Sequence, residues 1–265
     1  MRHIYEAGFF VQDMTRKKAF FVHLCISTLA IGGLLLLVLF FWYPYPFSLV
    51  AVVAKPLSIL IGVYLIIGPL LTLILFKPGK AGLKFDMYLV SIIQSAVLLY
   101  GGYTLYQERP YYMVFVQDRF EVLAQGDIDL EGVTDPALLD KPWAQPIYVV
   151  ALMPADVQEQ QRILEETLFQ GKPDIHQRPE YWHPYAAHLD KVSKRARPLE
   201  DLLERRPGKA VLINAAIRKS DNSESLAYMP IMGKQRVFSL LLESSGWTSV
   251  GIVSVDPWAK PSLPK

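Results

Sequence analysis

AFFVHLCISTLAIGGLLLLVLFFW, Ala19 to Trp42, contains no lysine, arginine, aspartate or glutamate. A helix of about 20 apolar residues crosses a hydrocarbon core of about 30 Å, so the run reads as a membrane span. A cleaved leader has an apolar region of about 7–15 residues ending at small side chains. This run is longer and ends in Phe40-Phe41-Trp42-Tyr43, which predicts an uncleaved first span. Two further runs pass the same test: Pro56 to Phe76, PLSILIGVYLIIGPLLTLILF, and Met87 to Tyr106, MYLVSIIQSAVLLYGGYTLY. The fold of the first 106 residues is therefore three helices in lipid.

Working outward, the composition agrees. The chain has 265 residues, 52% of them hydrophobic, and the apolar residues are gathered in these runs while most charge lies behind them. That pattern excludes a simple cytosolic protein and a disordered one. A formal net charge of +2 excludes nucleic-acid binding by bulk positive charge. Cys25 is the single cysteine, so no intramolecular disulfide supports the fold.

Lysine and arginine set the orientation. Arg2, Arg16, Lys17 and Lys18 precede span one, and Lys77, Lys80 and Lys84 lie between spans two and three; the first loop holds only Lys55. The N-terminus and second loop are thus expected in the cytoplasm, and everything from Gln107 onward in the periplasm of a bacterial inner membrane. Pro78 and Gly79 break the chain within KPGKAGLK, making spans two and three an antiparallel hairpin. The expected division is a cytoplasmic tail (1–18), a three-helix transmembrane domain (19–107) and a periplasmic domain (108–265). Nothing on the cytoplasmic side is long enough to fold as an output domain, which argues against a signalling receptor.

The tail reads as α+β, a mixed α/β domain. YYMVFV (Tyr111–Val116) predicts a strand that DRFEVL continues after a bend. Pro146–Met153 predicts a buried strand, and Asp156 caps a helix to Gln170 whose apolar face carries Ile163, Leu164 and Leu168. Two short helices cover Tyr185–Arg195 and Leu199–Arg206. VLINAAI within Ala210–Ile217 predicts a strand, Arg218–Ser225 a polar loop, and RVFSLLLE with TSVGIVSV a closing hairpin.

Several stretches together resemble the type IV pilin accessory proteins of the TfpX/TfpZ type. They are KKAFFVHLCISTLAIG, FFWYPYPF, FKPGKAGLKFD with the span after it, VFVQDRFEV, YMPIMGK and VDPW. The resemblance is dense from Lys17 to Leu123 and returns from Tyr228 to Trp258. It implies an inner-membrane protein that associates with a major type IV pilin and affects pilus assembly or the balance of extension and retraction. It brings no catalytic residues.

The residues themselves supply no enzyme site. There is no G-x-S-x-G, phosphate loop, G-x-G-x-x-G or HExxH, and His176, His183 and His188 are spaced wrongly for a helical zinc pair. The expectation is a non-enzymatic protein with no cofactor and no metal. The alternatives are a pilin-modifying enzyme and a sensor acting through a partner.

Candidate interaction residues are Ser91, Gln94 and Ser95 in span three, and Arg119 and Trp258 in the tail. Thr28/Gly32, Ser58/Gly62, Gly68/Thr72 and Ser91/Ser95 are small pairs four apart, which let helices approach closely in lipid. They serve either packing of the three spans or a groove for a partner's apolar helix, with Gln94 its polar contact. Arg119 and Trp258 are partner contacts or, respectively, a strand turn and a core cover. His23 reads as an interfacial side chain. The expected partners are a major pilin and the lipid bilayer, with other inner-membrane assembly components as further candidates and no nucleic acid.

Overall fold

A computed structural model of the chain describes residues 14–51, 53–140, 145–218 and 226–259. Arg2 and most of the expected polar loop, residues 219–225, lie outside the described residues. The chain forms two units, residues 1–39 with 53–106 and residues 40–52 with 107–265.

In the first unit, α1 (Arg16–Leu37) continues through a π-helical stretch to Trp42. The second span joins α3 (Ala54–Gly62) to α4 (Gly68–Leu75) through π-helical Val63–Ile67, and α5 (Leu83–Gln107) is the third. All three are long and apolar enough to cross a membrane. Leu29, Ile66, Ile92 and Leu99 stand out from the unit, the outward apolar surface that a helix needs in lipid and not in water. Inside, glycines set the approach of the second span to the third. A Cβ on Gly101 would meet Leu60 Cδ2 at 2.5 Å.

The second unit is built on one sheet, ordered β4-β3-β1-β2-β6-β7-β8 with β5 on β6. Its strands are β1 (Pro110–Val116), β2 (Arg119–Ala124), β3 (Ile147–Ala151), β4 (Trp182–Pro184), β5 (Arg197–Pro198), β6 (Leu226–Met232), β7 (Val237–Glu243) and β8 (Thr248–Val253). β1 runs parallel to β3 and β2 parallel to β6; the remaining pairs are antiparallel. All seven β1 residues are buried, because both faces of the sheet are covered. By strand alternation Met113 and Phe115 enter one core, with Phe120, Ile231 and Leu240; Tyr112, Val114 and Val116 enter another on the opposite face.

The structure redraws the expected division at one place. The first interhelical loop belongs to the sheet unit. Within it, α2 (Phe47–Val50) inserts Phe47 and Val50 into the core of Met113, Phe115 and Phe120. Gly233 makes the room: a Cβ there would stand 2.6 Å from the Val50 carbonyl oxygen.

Other expectations are corrected. DRFEVL does not continue β1; it folds back as β2 after a two-residue turn, with Gln117 at φ 54°. Ala210–Ile217 is a helix, α9, and not a strand. Three alanines favour helix, and a helical spacing turns Ile213, Ala216 and Ile217 inward while Val211 stays exposed.

The helix capped by Asp156 is α6 (Val157–Phe169), where the Gln158 N–H donates to Asp156 Oδ1 at 3.0 Å. Its inward face holds Ile163 and Glu166, and Leu164 and Leu168 are exposed. Glu166 accepts hydrogen bonds from Lys172 Nζ at 2.9 Å and Arg178 at 2.7 Å. Those donors, Lys172 first, hold its carboxyl down at about 2. An ion pair therefore docks this helix where hydropathy predicts a leucine face. The helices α7 (Leu189–Ser193) and α8 (Leu199–Arg205) are shorter than expected.

Candidate site in the membrane-spanning unit

The second span's π-helical stretch is followed by Gly68, Pro69 and Thr72, all buried. Gly68 and Thr72 are four apart and so share a face. That face meets α5 at Gln94, itself 8% exposed. A Cβ on Gly68 would lie 1.8 Å from Gln94 Nε2, so the bare glycine is what admits the amide between the helices. Of the four small pairs in the sequence, this one is used for close contact; a Cβ on Gly32 or Gly62 meets nothing within 4 Å.

Gln94 Oε1 meets His23 Nε2, and His23 Nδ1 meets Thr72 Oγ1. Since the amide oxygen only accepts, Nε2 of the imidazole carries the proton it shares with Gln94, and Nδ1 pairs with the threonine hydroxyl. One histidine thus ties α1, α4 and α5 together. The ring turns inward, which corrects the interfacial reading of His23. Tyr64 adds a fourth member: its hydroxyl donates to the Gln94 backbone carbonyl at 2.7 Å. Gln94 Nε2 is buried without a hydrogen-bond acceptor among the described residues.

A cavity of about 380 Å³ opens beside this cluster. Its walls include Ala19, Val22, Ile26 and Ala30 from α1, with Val90 and Leu98 from α5, and its polar points are His23, Ser27, Thr72, Ser91, Gln94 and Ser95. All three span residues singled out in the sequence therefore line one cavity. Ser91 and Ser95 are exposed and Gln94 faces the bundle. Ser91 satisfies its hydroxyl on the Met87 carbonyl at 2.9 Å. Tyr64 is the member that the sequence reading does not single out, while His23 and Thr72 read there as an interfacial side chain and half of a packing pair. The Gly68/Thr72 pair was the available signal.

The two tail candidates are in the other unit. Arg119 closes the β1–β2 turn, with Nε donating to Glu121 at 2.6 Å and a second nitrogen 3.7 Å from Asp118. Its charge is engaged within the hairpin, as the turn reading expects. Trp258 is 42% exposed and does not cover the core. Its backbone N–H donates to Asp256 Oδ1 at 2.8 Å in a local turn. His183 and His188 rings contact each other edge to face at 5.2 Å.

A family model for the fimbrial assembly protein FimB matches residues 13–51, from the start of α1 through the loop that enters the sheet unit. The fimbrial assembly protein of serogroup I from Dichelobacter nodosus is 29% identical over 243 residues, covering 89% of this chain and 93% of the relative. The serogroup E1 protein of the same organism matches with the same identity and coverage. The protein of serogroups C1 and C2 is 35% identical over 113 residues, 42% of this chain and 86% of the relative. No solved structure matches the chain.

Proposed function

The chain belongs to the fimbrial assembly protein family, and from that premise we propose that it assists assembly of a type IV pilus by binding the major pilin. The observation that carries this reading is the cavity beside the His23–Thr72–Gln94 cluster. It is largely apolar and lined by all three spans, and it is edged by small side chains that let a further helix come close. An apolar helix of a membrane-resident pilin fits such a groove, and the hydroxyls of Ser91 and Ser95 offer it polar contacts. The sheet domain then engages the pilin's folded part. Two surfaces on one partner raise avidity through effective concentration without a strong contact at either. The protein acts by binding, holding subunits and handing them to the fibre, and not by catalysis.

An inner-membrane placement with the sheet domain in the periplasm is part of the proposal. Its support is the lysine and arginine bias, together with the joining of the first loop and the tail in one folded unit, which requires both on the same side.

The test is a photoreactive residue in place of Ser95, in cells assembling pili. The expected product is an adduct with the major pilin, mapped to its apolar helix. Adducts with other assembly components and never with pilin would overturn pilin binding.

A further inference from the structure

The parallel strands β1 and β3 end side by side, Val116 opposite Ala151. Beyond them the chain diverges. Gln117 turns back into β2, while Leu152 and Met153 lead away toward α6, and the gap is a cleft of about 360 Å³. The crevice beyond the carboxyl ends of parallel strands is where ligands bind in open α/β sheets. Buried Phe115 and Ile175 contribute an apolar floor. Gln117 borders it at φ 54°, a left-handed conformation uncommon for a residue with a side chain.

The rim is cationic. Lys191, in the last turn of α7, and Lys194 and Arg195, in the turn that follows it, all line the cleft. Val192 is fully buried beneath them, and its carbonyl accepts from the N–H groups of Arg195 at 3.0 Å and Ala196 at 2.9 Å. The turn is thereby fixed to the core. Three like charges around one cleft repel each other, and none of the described lining residues is acidic. Lys194 lies 3.6 Å from Asp190. The acids beside lining residues in the chain point elsewhere, Asp118 to Arg119 at 3.7 Å and Asp174 to His176 at 3.6 Å. Lys191 and Arg195 have no ion-pair partner among the described residues.

We infer that this cleft binds a carboxylate, carried on an apolar segment of a partner polypeptide. Side-chain cations bind carboxylate and phosphate alike; it is the apolar floor beside them, the anatomy of a protein contact with a polar rim, that points to a carboxylate on a polypeptide. The inference deepens the pilin-binding reading and rests on it only for the partner's identity.

The experiment places p-benzoylphenylalanine at Met153, an exposed rim residue, in the full chain in cells assembling pili. The expected adduct is with pilin, within a few residues of an aspartate or glutamate. Its yield should fall at least tenfold in K191E/R195E and persist in K191R/R195K. An adduct at an acidic segment of another protein, with the same charge dependence, supports the cleft and overturns pilin as its occupant. Unchanged yield in K191E/R195E, loss in both double variants, a lipid adduct or no adduct would each overturn the carboxylate site.

Discussion

Gly68 does more than permit flexibility: it is the space into which the Gln94 amide fits. Adding one methyl there must move the amide and with it the bond to His23. Gly68→Ala is therefore expected to destabilise the full chain in detergent by about 1 kcal/mol, the scale of an interhelical hydrogen bond in a membrane protein. Combining it with Gln94→Ala removes the collision, so the double variant should lose less than the sum of the two single losses. Denaturation of the four proteins checks this, and strict additivity would refute the contact. The residue scale also shows what a sequence makes legible. Gln94 announced itself as an amide in an apolar run, because such a group needs a partner in lipid. Its partners did not: His23 and Thr72 are 71 and 22 residues away along the chain, and only the packing of three helices selects them.

At the scale of elements, α6 separates pattern from burial. Its leucines at 164 and 168 share a face, yet Ile163 and the Glu166 carboxylate are what turn inward. L164S/L168S is expected to stay within about 0.5 kcal/mol per site of the parent, as exposed substitutions do. Ile163→Ala should cost about 2–5 kcal/mol, from lost burial and the cavity left behind. Thermal unfolding of the full chain distinguishes them, and a larger loss from the leucine pair would contradict the assigned face. The same competition explains α9. Its branched side chains read as a strand, but the alanines and one inward stripe satisfy a helix against β8. The three spans, β3 and the β7–β8 hairpin were legible because their apolar runs are long or punctuated by turns. The pairing of β2 with β6 was not, since it joins residues more than a hundred positions apart.

For the whole molecule, the central consequence is which segments share a side of the membrane. With three spans and the first loop folded into the sheet unit, single cysteines at Ser245 and at Lys80 should label from opposite faces, in a chain whose Cys25 is replaced by alanine. The expected result is labelling of S245C in intact cells by an impermeant maleimide, and of K80C only after lysis. Labelling of both in intact cells would reject the topology. The three-span reading was available from hydropathy; the reach of the first loop into the sheet was not, because Phe47 and Val50 look like any residues at a membrane boundary.

That insertion also orders events in time. Residues 40–52 leave the ribosome well before the strands that receive them have been made. The core that receives Phe47 and Val50 is begun by β1 and β2 and completed only when translation reaches β6 and β7. The earliest piece of the sheet domain thus depends on its latest strands, and a chain truncated before Met229 leaves that piece with a core half built.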